Sequence, residues 1–495
     1  MEETGEHLDP TVEVNLDVIK KRAIKGIAVL TGRTFLLNII TLVAQGLLWA
    51  FISPADFGVF ILVSATINFL SYFADIGLGA ALIQKKEKPQ ERDFKTVFAV
   101  QEILVVTIVL IVFLISPFLT RVNHLSKEAV YLLYALNISF FLASLKNIPS
   151  IILERRLNFA KFVIPQVVEN VTYNAILVYL AWRGFGISSF TYAVLARGII
   201  GVIAIYLIQP WKPGFQISKE SLKDLLKFGI PYQLNNFLAT VKDDGLTIVV
   251  GGILGTYGLG ILGTAQKLAQ YPLRFFMDNV TKVTFPAFSR MQDEREALTR
   301  SLNRSILFIA LLVFPSLVGL ISLFPMIITV VPKYQKWAPA FIPLIFLAIN
   351  SSLASVTTQL TNLLTSVGRI KTTLKLMVMW TALSWLLLPL LSKRWGVDGA
   401  ALGYAIVGSS SFIVFYLVKR FLNWSVFDAA GKPLIASVVM GIYLYFLGKQ
   451  ISANVFNLVF LVVTGGLLYA LTAYLLIGKS LLDDVKKSIR AFIGK

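Results

Sequence analysis

Arg33, Arg197, Lys242, Lys267 and Arg274 each lie in or beside a long apolar run of this 495-residue chain, where each could hold an anion. A guanidinium offers a planar fork that fits a phosphate, and an ammonium offers a point charge. A charge at bilayer depth costs at least about 2.5 kcal/mol, so it normally faces a bundle interior or a wet cavity. The alternative for each cation is to snorkel to an interface, or to pair with an acid and tie two helices together. Lys146, a sixth cation in an apolar run, is expected to snorkel.

The acids within or bordering such runs are Asp75, Glu102, Glu169, Asp243, Asp244 and Asp278. Asp243 and Asp244 follow Lys242 directly, inside FGIPYQLNNFLATVKDDGLTIVVGGILG. On a helix they point about 100° apart, so one can pair with a cation while the other faces a cavity. Desolvation and a like charge both raise a carboxylate's pKa, which allows proton uptake in one conformation and release in another. With carbonyls nearby, the same carboxylate could hold Na⁺. Asp243 and Asp244 are therefore the candidate coupling residues, with H⁺ or Na⁺ as the coupling ion. Gly245 and Gly251-Gly252 predict a bend or unwinding of this helix.

The elements that carry these residues are membrane helices. The chain is 56% hydrophobic and only 15% charged, where a soluble protein carries nearer a quarter. Apolar runs of about 20 residues recur along its length, and the short alternating strands of a membrane barrel do not. With no cysteine, disulfides, thiolate metal sites and cysteine nucleophiles are excluded. His7 lies in a polar tail and His124 in a short loop, which argues against a histidine metal centre. No catalytic residue, metal or other cofactor is expected. Residues 1–22 lack the apolar core of a cleaved signal peptide, so the first apolar stretch is expected to remain as an anchor.

Fourteen spans are expected, centred near residues 39, 70, 107, 141, 172, 198, 242, 270, 316, 352, 383, 408, 440 and 466. Sorting the basic residues by side places 32 with the N-terminal tail and eight opposite, a strong positive-inside bias. Both termini are then cytoplasmic. The net charge of +19 is topological, and no nucleic acid is expected as a partner. The chain divides into a cytoplasmic tail (1–26), six spans (27–210), a cytoplasmic linker (211–227), six further spans (228–420), two C-terminal spans (432–478) and a second tail (479–495).

The two groups of six repeat weakly. FISPADFGVFILVSAT (51–66) matches GGILGTYGLGILGTAQ (251–266), with Gly58 against Gly258. WRGFGISSFTYA (182–193) matches WGVDGAALGYA (395–405). Six is even, so two all-α lobes should be related by a pseudo-two-fold along the membrane normal, with a ligand site between them near the midplane. Trp49, Trp182, Trp337 and Trp395 near span ends are expected as interfacial anchors.

ADIGLGAALIQKKEKPQERDFKTVF (74–98), IPSIILERRLNFAKF (148–162), FPAFSRMQ (285–292) and WGVDGAALGYA (395–405) resemble the Wzx-type oligosaccharide flippases of the MOP superfamily, which also holds the MATE exporters and the lipid II flippases. The similarity covers about residues 25–480. It implies fourteen helices in two lobes, alternating access, and movement of an undecaprenyl-pyrophosphate-linked oligosaccharide from the cytoplasmic to the outer leaflet. The expected setting is the cytoplasmic membrane of a prokaryote, during surface polysaccharide synthesis. A monomer is expected, with glycan polymerase or assembly machinery as a further partner. The motifs lie mostly in loops and span ends, so the resemblance carries over no site residues.

A dianionic pyrophosphate needs cations, which makes Arg33, Arg197, Lys242, Lys267 and Arg274 the candidate substrate-binding residues. The alternative is a secondary antiporter of drug-like cations on the same fold, which would favour a negative, aromatic cavity. A membrane glycan polymerase would need a large outer loop, and the longest here is about a dozen residues. YLLIGKS (474–480) lacks the first glycine of a phosphate-binding loop and follows a membrane helix. Transport should be secondary.

Overall fold

A computed structural model describes residues 16–478 apart from 75, 86, 88, 123 and 124. His7, His124, Asp75, most of the N-terminal tail and all of the C-terminal tail therefore lie outside the described residues. The described chain is helical, with no strand. The helices are α1 (Leu16–Phe51), α2 (Pro54–Ser71), α3 (Leu78–Gln84), α4 (Glu91–Val122), α5 (Lys127–Leu145), α6 (Asn147–Arg155), α7 (Phe159–Trp182), α8 (Ser188–Ile208) and α9 (Lys219–Thr240). They continue as α10 (Leu246–Arg290), α11 (Arg295–Val330), α12 (Phe341–Ser366), α13 (Ile370–Ser409), α14 (Ser411–Lys419), α15 (Lys432–Gln450) and α16 (Val455–Ile477).

Eleven stretches among the described residues are long and apolar enough to cross a membrane. The sequence predicts fourteen spans, and eleven is the number that length and apolarity establish. Two of the eleven, Phe237–Asp278 and Ile370–Lys419, are interrupted by non-helical backbone at Gly255 and at Trp395–Gly396. Gly255 has φ 66°, a left-handed conformation that glycine alone adopts without strain. α7 is not among the eleven, because Gln166, Glu169, Asn170 and Asn174 dilute its apolar run. Large side chains such as Leu114, Leu207 and Phe456 stand more than three-quarters exposed, as lipid-facing residues must.

The chain forms two compact units, residues 1–260 and 261–495. In the first, α7 packs against α1 and α8, and α8 packs against α5. Leu78, Leu82, Phe94, Phe98, Ile148, Ile152, Trp211 and Leu225 form a separate apolar core under the loops. Each such burial contributes about 1.5–3 kcal/mol. Two of the quoted motifs, 74–98 and 148–162, thus build a platform, and the 211–227 segment docks on it. Buried Asp93 fixes that docking: it accepts from Lys85 Nζ at 2.7 Å, Ser221 Oγ at 2.6 Å and the Gln90 amide at 2.9 Å. The Arg155 guanidinium donates to the carbonyls of Leu82, Ile83 and Lys85. At Gly77 the backbone has φ 74°, and a Cβ there would stand 2.9 Å from the Gly229 carbonyl carbon, so α9 can approach only a glycine.

In the second unit, α11 packs against α12 and α15, α12 against α13, and α15 against α16. Leu323, Met326, Met440, Leu444 and Leu461 form a core there. Gln359 on α12 is fully buried and satisfied by α10: its amide donates to Thr281 Oγ1 at 3.2 Å, and it accepts from Thr284 Oγ1 at 3.1 Å. Trp337, expected at an interface, is buried at 3% exposure, whereas Trp182 and Trp395 are more than half exposed.

Candidate functional site: a charged cluster on α7

α7 begins where Asn158 caps it, accepting the Lys161 amide at 3.3 Å. Its C-terminus is closed by Gly184 at φ 85°. Between these ends, Gln166, Glu169, Asn170, Tyr173 and Asn174 recur at helical spacing on one face. That face receives cations from three neighbours. Arg33 of α1 donates through Nη1 to Gln166 Oε1. Lys146, which follows α5, donates to Glu169 Oε1 at 2.8 Å. Arg197 of α8 approaches Glu169 Oε2 at 3.7 Å, and its guanidinium lies 5.8 Å from the Tyr173 ring centroid.

Burial grades this cluster. The Glu169 side chain is 10% exposed and Lys146 17%, whereas Arg197 is 53% exposed. One carboxylate therefore holds two cations, and Arg197 retains donors free to meet an anion. Arg33 is matched only by a neutral amide. Space for Glu169 is provided by Gly201 on α8, because a Cβ there would fall 2.6 Å from the Glu169 carboxyl carbon. Lys146 is thus an ion-pair partner in the interior, not the snorkelling residue expected, because Glu169 lies within its reach.

The Lys242–Asp244 segment is built differently. Residues Val241–Gly245 form one π-helical turn between α9 and α10, the local unwinding that the glycines predict. Lys242 lies 3.7 Å from Asp243, with side-chain exposures of 34% and 71%. Asp244 is half-buried, on a turn that packs against α2, the helix that carries Asn68. The turn is steadied nearby by Tyr72, whose hydroxyl donates to the Gln233 carbonyl and whose ring packs on Phe237 at 5.4 Å.

Among the five predicted cations, Arg33 and Arg197 meet on α7, and Lys242 sits on the π-turn. Lys267 and Arg274 belong to the second unit. Lys267 is partly buried there, and Arg274 is exposed at 3.9 Å from Asp278 on its own helix. Among the described residues, no three His, Asp or Glu side chains gather as a metal set. The sequence reading names Glu169 but leaves it out of the site, and it misses Gln166, Tyr173 and Asn68. The polar spacing of 166, 169, 170, 173 and 174 is the signal that finds the first three.

The polysaccharide biosynthesis protein family model matches residues 47–341. The teichuronic acid biosynthesis protein TuaB of Bacillus subtilis is 27% identical over 408 residues, covering 79% of this chain and 81% of that protein. The succinoglycan biosynthesis transport protein ExoT of Rhizobium meliloti is 23% identical over 428 residues, covering 84% of each. The lipid II flippase MurJ, solved in an inward closed conformation, superposes with a TM-score of 0.72 at 17% identity, over 90% of this chain and 98% of that one, so the fold is shared. With its family model matched across more than half its length, the chain belongs to the polysaccharide biosynthesis protein family.

Proposed function

We propose that the protein is a membrane transporter that moves a polyprenyl-pyrophosphate-linked oligosaccharide from the cytoplasmic to the outer leaflet of a bacterial inner membrane. The observation that carries this reading is the excess of cation over carboxylate around α7. Glu169 is already engaged by Lys146, so the half-exposed Arg197 beside Tyr173 and the amide-bound Arg33 at Gln166 present positive charge along this face. A pyrophosphate fits such a surface through charge-assisted bonds, and the aromatic and amide groups suit sugars. A cationic drug would meet repulsion there, which weighs against the antiporter alternative. The names of the relatives, a transport protein for succinoglycan and a biosynthesis protein for teichuronic acid, support the same substrate class.

Lys242, Lys267 and Arg274 remain candidate substrate contacts in this reading. Asp244 is the favoured coupling carboxylate, because it is half-buried on a turn packed against α2, while Asp243 faces outward. The chemistry is translocation with no covalent step, and both termini are cytoplasmic.

The test is a flipping assay in sealed proteoliposomes with a fluorescent polyprenyl-pyrophosphate oligosaccharide, run with and without H⁺ or Na⁺ gradients. Protein-dependent flipping, with no efflux of organic cations, is expected. Cation efflux without flipping would overturn the proposal.

A further inference from the structure

The second unit carries a cavity of about 620 Å³ that the transport reading does not use. Arg295 and Arg300 line it from the first turns of α11, and Lys419, Arg420, Phe421 and Asn423 from the end of α14 and the turn beyond. Glu296 is the single acid of the lining, and it pairs with Arg300 at 3.6 Å. The pocket is electropositive. Its first helical turn also presents the positive end of the long α11 dipole.

The pocket is built into the fold. Leu422 and Trp424 are buried, with Trp424 edge-on to Phe415 at 5.6 Å, so the turn between them is pinned to the core. The Ser425 amide donates to Asn303 Oδ1 of α11 at 3.3 Å, which joins the two walls. Two guanidiniums approach Phe421: Arg369 lies 4.1 Å from its ring centroid and Arg295 lies 6.0 Å away. A positive-inside bias alone scatters cations along loops. It does not bring two arginines to one aromatic ring at the wall of a cavity.

An apolar track leads from this pocket. Arg420 lies 5.8 Å from the Tyr416 ring, and Phe412 is one turn further along the same face of α14. Tyr416 and Phe412 are 62% and 60% exposed. A basic pocket ending an exposed apolar strip matches the two halves of an anionic lipid. We propose that this pocket binds the phosphate headgroup of a lipid whose chain lies along Tyr416 and Phe412. The shared chemistry is a lipid phosphate, supplied either by bulk anionic phospholipid or by a polyprenyl pyrophosphate in the same leaflet.

The test is native mass spectrometry of the purified full chain with cardiolipin, phosphatidylglycerol, phosphatidylcholine or polyprenyl pyrophosphate added at equal concentration. Wild type should retain at least one anionic lipid about tenfold over phosphatidylcholine. The triple variant Arg295→Gln, Lys419→Gln, Arg420→Gln should lose that preference. A charge-matched control, Lys212→Gln, Lys219→Gln, Lys223→Gln, alters exposed lysines of the first unit and should keep it. Phe421→Leu leaves every charge in place and should lower retention about threefold, with a thermal melt reporting that each variant is folded. Selective retention of phospholipid identifies the bulk source, and selective retention of the pyrophosphate identifies the carrier lipid. Equal losses in the two triple variants, or no anionic preference in wild type, would overturn the proposal. Binding is read on idle protein, so failure of the flipping assay leaves this outcome untouched, and the reverse also holds.

Discussion

Glu169 on α7 and Asp244 on the π-turn that joins α9 and α10 are both carboxylates of the first unit, and their surroundings differ in nearly every respect. Glu169 is buried, sits opposite a glycine, and is reached by cations that lie 23 and 28 residues away in sequence. Asp244 shares a π-turn with its own sequence neighbours, and the ion pair beside it is long and exposed. The contrast separates a charge that holds helices together from the one proposed here as the coupling carboxylate. A buried carboxylate holding two cations is costly to remove, because its partners are stranded.

Glu169→Gln should produce the largest effect. Breaking a buried pair costs about 3–5 kcal/mol, which for a unit of this size is a melting-point fall of roughly 6–10 °C. A thermal melt in detergent checks it, and adding Lys146→Met should recover part of the loss. A smaller effect is expected from Gly201→Ala, whose new methyl displaces the carboxylate from Lys146. Its melting point should fall by about 2–4 °C. In a Glu169→Ala background the same change should be nearly silent, as a double-mutant cycle would read.

The other side of the comparison predicts weak stability effects. Asp244→Asn should keep its melting point within about 2 °C, since the amide keeps the carboxylate's size and can still accept a hydrogen bond, while any gradient response of flipping disappears. Asp243→Asn should change stability by no more than about 0.5 kcal/mol, because exposed ion pairs contribute little. A large loss of stability in either π-turn variant would collapse the distinction between the two regions.

The sequence made some of this legible and hid the rest for a physical reason. Apolar run length announces a polytopic helical protein, and Gly245 foretells the disturbed turn at residues 241–245. Two of the loop motifs, 74–98 and 148–162, are legible because they build the platform around Asp93, Trp211 and Phe98. Charges adjacent in sequence, such as Lys242-Asp243-Asp244, attract attention without implying a shared partner. The Lys146–Glu169–Arg197 cluster forms only when α5, α7 and α8 pack, so periodicity along α7 alone shows a polar face and not what fills it. Trp337 fails as an interfacial anchor for the same reason: its burial is decided by tertiary packing.

The most direct test of the central claim compares Arg197→Gln with Lys242→Gln in the proteoliposome flipping assay, at matched protein incorporation. If the α7 cluster receives the pyrophosphate, Arg197→Gln should slow flipping about tenfold or more and Lys242→Gln by no more than about threefold, a gap of at least about 0.7 kcal/mol in transition free energy. The opposite order, with Lys242→Gln abolishing flipping and Arg197→Gln leaving it intact, would contradict the account.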